Sequence, residues 1–174
     1  EELDVLGPLG KGFVILADRP ACMIGGGLGI APLLFLVKQL CRNRKDIGRD
    51  LIILGGRSRD EVEPLVNDFE QFGIPLLCTT DDGSYGAKGF VTEILESGRV
   101  GSDSELYACG PDPMLKSVYE IWRGREGGCQ VSVESVMACG MGACLGCNIP
   151  ASDGSYTHVC IDGPVFKAED LVWL

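Results

Sequence analysis

A single histidine, His158, stands in this chain of 174 residues. Hydrolytic couples of the Ser–His or Cys–His type need an imidazole beside their nucleophile. The only one here lies among cysteines near the C-terminal end, so such chemistry is not expected. A Rieske centre needs two histidines and is excluded by the same count. Basic residues are also scarce, 15 Lys and Arg against 25 Asp and Glu, for a formal charge of −10. Nucleic acid and anionic membrane are poor partners for that field, although a local basic pocket for a dinucleotide is compatible with it. No apolar run reaches the roughly 18 residues that would read as a membrane span. No charged leader precedes an apolar stretch, so neither spanning nor export is expected.

Cysteine, by contrast, is abundant, with nine residues. Four of them have a pattern. Cys139 and Cys144 are separated by four residues, Cys144 and Cys147 by two, and Cys147 and Cys160 by twelve. This C-x4-C-x2-C…C spacing is that of a plant-type [2Fe–2S] centre, in which four thiolates complete the tetrahedra of two irons. Gly140, Gly142 and Gly146 suit a loop that must wrap closely round a cluster, since glycine permits positive φ and close backbone approach. A zinc site is the rival, but zinc is usually held by two short C-x2-4-C knuckles. Buried structural cysteines are the other rival. The five remaining cysteines, Cys22, Cys41, Cys78, Cys109 and Cys129, are odd in number and scattered through apolar segments. They read as free thiols in a reducing, cytoplasmic compartment and not as a disulfide framework.

The rest of the chain alternates short apolar runs with amphipathic ones, the signature of an α/β fold with an open, mostly parallel sheet. Ala21–Gly25 predicts a first strand. Gly25-Gly26-Gly27-Leu28-Gly29-Ile30-Ala31-Pro32 follows and opens a helix over Leu33–Cys41, with Pro32 tolerated in its first turn. Strand, glycine turn and helix N-terminus together form an anion site. It is not a P-loop, because no G-K-[ST] follows. Further strands are predicted at Asp50–Gly56, Ile74–Thr80 and Ser104–Cys109, and helices over Glu61–Phe72 and Lys88–Ser97, with a last one after the Gly110–Met114 turn that carries Leu115, Val118, Tyr119 and Trp122 on one face. No acidic residue ends the second strand, where a doubly wound fold meets the adenosine ribose. Arg57 and Arg59 there are read as solvated charges, as an adenine stack, or as partners of a 2′-phosphate. Asp81 and Asp82 either accept hydrogen bonds in a cofactor cleft or serve as turn residues. Cys109, at the carboxyl edge of a strand, either touches a nicotinamide or is a small buried hydrophobe. Residues 123–128 are polar and glycine-bearing and mark a boundary. Beyond it, short strands around the cluster loop and the closing Val165, Phe166, Leu171 and Trp173 read as a small sealed module.

Three stretches carry a family resemblance. Gly7–Phe13, Gly25–Leu33 and Cys109-Gly110-Pro111-Asp112-Pro113-Met114 resemble the ferredoxin–NADP reductase superfamily. Together with Thr80–Thr92 and the Cys139–Cys160 cluster pattern, the chain is similar to the electron-transfer subunit of NAD-dependent, class 1B dihydroorotate dehydrogenase. The resemblance implies a division into the end of a flavin-binding barrel or a linker (1–13), a nicotinamide-dinucleotide domain (14–127) and a [2Fe–2S] domain (128–174). It implies that Gly25, Gly26, Gly27, Gly29, Ile30, Ala31 and Pro32 receive a pyrophosphate. Asp81, Asp82, Gly83, Gly110, Pro111 and Met114 would line the nicotinamide side with Cys109, and Cys139, Cys144, Cys147 and Cys160 would hold the cluster. NAD and FAD are the implied further cofactors. The implied partner is an FMN-containing catalytic subunit acting in pyrimidine biosynthesis, within a hetero-oligomer, a heterotetramer. Most of the family's flavin barrel has no counterpart in these residues. Hydride chemistry nevertheless needs a flavin to divide electron pairs for a one-electron cluster. Subunits of ferredoxin:NADP transhydrogenases and of sulfur- or hydrogen-metabolising enzymes form the alternative branch. In the transhydrogenases an aspartate tends to replace the first cluster cysteine, and Cys139 departs from that pattern. A non-catalytic dinucleotide-binding relay is the alternative of a different class.

Overall fold

In a computed structural model the structure describes residues 2, 4–5, 7–44 and 46–173. Glu1, Leu3 and Leu6 of the expected linker, and Leu174 of the expected cluster domain, lie outside the described residues. The first strand, β1 (Ala21–Gly26), is buried along its whole length. It leads through a 3-10 turn (Gly27–Gly29) into α1 (Ile30–Asn43). β2 (Leu51–Gly56), α2 (Arg59–Glu70) and β3 (Leu76–Thr80) follow on one side of β1. The chain then crosses back through β4 (Ala87–Lys88) and α3 (Val91–Glu96) to β5 (Glu105–Cys109), which pairs with β1 on its other side. α4 (Asp112–Trp122) completes the crossover to β6 (Cys129–Ser132). The sheet runs β4-β3-β2-β1-β5-β6-β9, parallel except for the antiparallel pairing of β9 (Val165–Lys167) with β6. A separate hairpin pairs β7 (Asn148–Pro150) with β8 (Tyr156–His158).

Because helices cover both faces, the central strands are apolar nearly throughout and do not alternate apolar with polar. Side chains still alternate between faces. Met23, Ile52, Leu54 and Tyr107 pack under α1 and α2. Cys22, Ile24, Ile53 and Leu106 pack against Val91, Leu95, Leu115, Val118 and Trp122 of α3 and α4. No helix among the described residues is long and apolar enough to cross a membrane.

Three expectations are modified. Lys88 does not begin a helix: with Ala87 it extends the sheet edge beside β3, because Gly89, at φ 127°, breaks the chain before α3 starts at Val91. Cys129–Ser132 and Val165–Phe166, read as parts of a small sealed module, pair into the main sheet and widen it. Cys147, Val159, Cys160, Ala168 and Leu171 likewise join the core beneath α3 and α4. The turn at residues 123–128 is therefore a surface turn over a shared core. Trp122 Nε1 donates to the Gly127 carbonyl there, and Arg125 lies over the indole ring.

A buried polar node ties this turn to the N-terminal segment. The Glu105 carboxylate, 6% exposed, accepts from the Gly128 amide and from Gln130 Nε2, both at 2.9 Å. Gln130 also pairs with the main chain of Val14 in both directions. Two donors would lose their acceptor in Glu105→Ala. We expect a loss of about 2 kcal/mol in urea unfolding, and a change below about 0.5 kcal/mol, typical of a surface site, would refute the node's role.

Candidate dinucleotide cleft and cluster loop

The chain moves away from β1 in opposite directions, toward β2 and toward β5, and so leaves a crevice outside the carboxyl ends of these strands. Ligands of open α/β sheets bind at such a switch point. A cleft of about 940 Å³ opens there. Its walls bring together Gly26, Gly27 and Ala31 of the glycine turn, Arg57 after β2, Asp81 after β3, and Pro111 and Met114 at the start of α4. The other expected binding residues do not line this cleft. Ile30 is fully buried and Gly25 packs against it and Leu33. Pro32 is exposed on α1, outside the wall. Gly29 has a spatial role: a Cβ there would stand 2.3 Å from the Cys109 carbonyl carbon and oxygen. Only glycine lets the turn pass over the end of β5. Gly110 is packed under Met114.

Asp82 takes the turn role. Its carboxylate accepts from the amide and hydroxyl of Ser84, which hold it below the usual carboxylate range. Gly83, at φ 76°, belongs to the same turn. Cys109 is 3% exposed, and burial pushes its thiol up, so it is no ready thiolate. Arg59 meets Glu63 and the Tyr85 ring instead of the cleft.

Several wall residues had no place in the sequence reading. Glu61 is the most consequential. It reaches back from the first turn of α2 to the Arg57 amide. The Ser58-x-x-Glu61 spacing, a capping-box pattern, is the signal that finds it. Phe90 stands 63% exposed on the opposite wall. Thr79 is 2% exposed and lines the cleft, yet among the described residues its hydroxyl has no partner. An orphaned buried hydroxyl costs stability unless something binds it. Its position suits a polar atom of a bound dinucleotide.

The four patterned cysteines come together as well. The Cys144 amide donates to Cys139 Sγ, that of Gly146 to Cys144 Sγ and that of Cys160 to Cys147 Sγ, each at 3.4 Å. Amides of Met141, Cys144 and Ala143 bring the Cys139 thiol down to about 6. A hydrogen bond with Cys147 pushes the Cys160 thiol up. Among the described residues no three His, Cys, Asp or Glu side chains converge as for a single metal ion. The sulfurs instead pair two and two, Cys139 with Cys144 and Cys147 with Cys160. Two irons need that division, each taking two thiolates, and the donor set with its sulfur-directed amides fits a [2Fe–2S] group. Gly140 and Gly142 have the expected positive φ, but the third left-handed residue is Leu145, at φ 59°, and not Gly146. Gly146 instead supplies the amide to Cys144. His158 is half-buried beside Asp162, whose carboxylate accepts from its amide.

Comparison with known proteins agrees with both halves of this arrangement. Residues 134–172 match the iron–sulfur cluster binding domain of dihydroorotate dehydrogenase B, and residues 23–120 match the oxidoreductase NAD-binding domain. A probable electron transfer subunit of dihydroorotate dehydrogenase B (NAD(+)) from Thermococcus kodakarensis is 42% identical over all of this chain and 69% of its own length. The chain belongs to the family of dihydroorotate dehydrogenase B electron transfer subunits. The corresponding subunit from Caldanaerobacter subterraneus is also 42% identical, over 98% of this chain and 66% of its own. The chain thus spans about two thirds of the length of the curated relatives it matches. Among solved structures, an NADH-dependent reduced ferredoxin-NADP oxidoreductase studied for flavin-based electron bifurcation superimposes with a TM-score of 0.83. The two share 32% identity over 98% of this chain and 60% of that one. The family's two matched domains make an iron–sulfur cluster and NAD the cofactors of this chain.

Two substitutions test the sites separately. Cys144→Ala should abolish the visible thiolate-to-iron absorption and lower bound iron, whereas Cys41→Ala should leave both; unchanged absorption in the first variant would remove the cluster assignment. Gly29→Ala should destabilise the chain by about 2 kcal/mol or more, because a methyl group is forced into backbone. A melting curve identical to that of the parent would show that the turn can shift.

Proposed function

We propose that this chain passes electrons between a nicotinamide dinucleotide in the cleft and a [2Fe–2S] cluster on Cys139, Cys144, Cys147 and Cys160. On this reading it serves an FMN-containing dihydroorotate dehydrogenase in cytoplasmic pyrimidine biosynthesis, as one subunit of a hetero-oligomer. The observation that carries the reading is that cleft and cluster loop are built on one sheet and one core, so both centres are held in a single body. The names of the relatives add the dihydroorotate substrate and the companion subunit.

On this reading residues 14–127 hold the dinucleotide and 128–174 the cluster. The glycine turn and the N-terminus of α1, which has no acidic residue in its first turn, accept the pyrophosphate by main-chain donors and dipole. Thr79 offers its free hydroxyl, and Pro111 and Met114 shape an apolar wall for the nicotinamide. Cys109, neutral and buried behind that wall, packs there and exchanges no proton. The loop amides hold negative charge on the cysteine sulfurs. A flavin, when bound, supplies the conversion between electron pairs and single electrons that neither centre performs. Its binding segment belongs with the third of the relatives' length that this chain does not match.

The likeness to the ferredoxin-NADP oxidoreductase favours a second reading, in which the same body serves another NAD(P)H-linked flavin and iron–sulfur oxidoreductase. Cys139 speaks for the first reading. Co-expression with an FMN-bearing dihydroorotate dehydrogenase subunit separates the two. The expected result is a stoichiometric complex whose NADH oxidation depends on orotate. Failure to form a complex, together with turnover of ferredoxin instead of orotate, would favour the second.

A further inference from the structure

The end of β2 is the part of the cleft that a doubly wound fold turns toward the adenosine ribose. Three charged residues of the cleft wall, Arg57, Glu61 and Asp81, stand there. Arg57 is not free. Its backbone amide donates to Glu61 Oε2 at 2.9 Å, and its Nε donates to Glu61 Oε1 at 2.7 Å. Both carboxylate oxygens are engaged, yet each has acceptor capacity left. Packing fixes the Glu61 end of the pair, while the Arg57 side chain stays exposed. A Cβ on Gly56 would meet Val62 Cγ2 at 2.7 Å and Glu61 Cβ at 3.2 Å, so the strand end sits directly against the first turn of α2. On the other side, the Asp81 amide donates to the Gly56 carbonyl and the Asp82 amide to that of Arg57. These bonds keep the Asp81 backbone beside the same point, and its charge acts on Arg57.

We propose that Glu61 makes this cleft select a dinucleotide with a free ribose 2′-hydroxyl over one bearing a 2′-phosphate. The inference rests on the dinucleotide reading of the cleft and names the residue that sets its preference. Glu61 acts in two ways. Its remaining lone pairs accept from a ribose hydroxyl, a contact the sequence reading missed because no acid ends the strand itself. It also pairs with Arg57, the one cation on the wall among the described residues, and Glu61 and Asp81 present like charge to a 2′-phosphate. The expected preference is therefore for NADH over NADPH.

The test uses two adenosine fragments that leave the nicotinamide end out, 5′-AMP and adenosine 2′,5′-bisphosphate, titrated calorimetrically into the whole chain. The parent should bind 5′-AMP more tightly. Glu61→Gln keeps an oxygen for the Arg57 amide but removes the charge, and should narrow the gap by about tenfold, equivalent to about 1.4 kcal/mol. Glu61→Ala should shift the ratio in the same direction. Arg57→Ala should leave the preference in place. Unchanged ratios in both Glu61 variants, or an Arg57→Ala chain that selectively loses the bisphosphate, would overturn the role given to Glu61 while leaving the cleft a nucleotide site. If the parent binds neither fragment, the dinucleotide reading itself fails, and the role of Glu61 with it.

Discussion

The close passage of the glycine turn over the end of β5 is the contact on which the rest of the molecule depends. β1 lies between β2 and β5, and the chain leaves it toward one and later returns to the other. The crevice so formed is useful only if α1 can start directly above it. Gly29 meets the Cys109 carbonyl at a distance no side chain tolerates, and this brings the N-terminus of α1 and the start of α4 to opposite sides of one opening. β5 in turn supports β6, and β6 supports β9. The cluster loop is the excursion between those last two strands. The geometry of the nucleotide end and that of the metal end thus hang on the same strand.

A second regularity follows from the acidic composition. A chain of net charge −10 proposed to bind phosphates and thiolate-ligated iron places main-chain N–H groups, not lysines, around both. At the cleft these are the amides of a glycine turn and a helix start. At the cluster they are the amides of Cys144, Gly146 and Cys160, which donate to sulfur. Backbone donors concentrate positive potential at one point without attracting anions elsewhere on the surface. Arg57, the one arginine on the wall among the described residues, forms an ion pair with Glu61. The polar interior obeys the same economy. Asp50, fully buried as a side chain, is paired with Arg44 and accepts from the Ala21 amide at the start of β1.

The parallel sheet was legible because apolar runs, glycine turns and amphipathic stretches recur in βα order, and β1, β2, β3 and β5 fall within two residues of their expected bounds. The cluster cysteines were legible because metal ligation needs a spacing that few other constraints impose. What local pattern could not supply was long-range pairing. Nothing in Cys129–Ser132 or Val165–Lys167 says that they join the sheet begun at Ala21, so the C-terminal part read as a body of its own. Lys88 fitted a helical run until Gly89 turned the chain. Glu61 was not legible as a cleft residue because it belongs to the helix after β2, and only the fold brings its carboxylate back to the Arg57 amide. Leu145 has the left-handed conformation that glycine neighbours suggested for Gly146, whose amide instead donates to Cys144 Sγ.

On the proposed function, a nicotinamide site and a one-electron cluster share one sheet and core and communicate only when a flavin joins them. Anaerobic titration with NADH, followed by the paramagnetic resonance of the reduced cluster, tests it most directly. In the chain alone the cluster should stay oxidised. In company with the flavin-binding segment of a relative, one NADH should reduce the cluster of two chains, since each cluster takes one electron of the pair. Stoichiometric cluster reduction by NADH in the flavin-free chain, or none when flavin is present, would contradict the account.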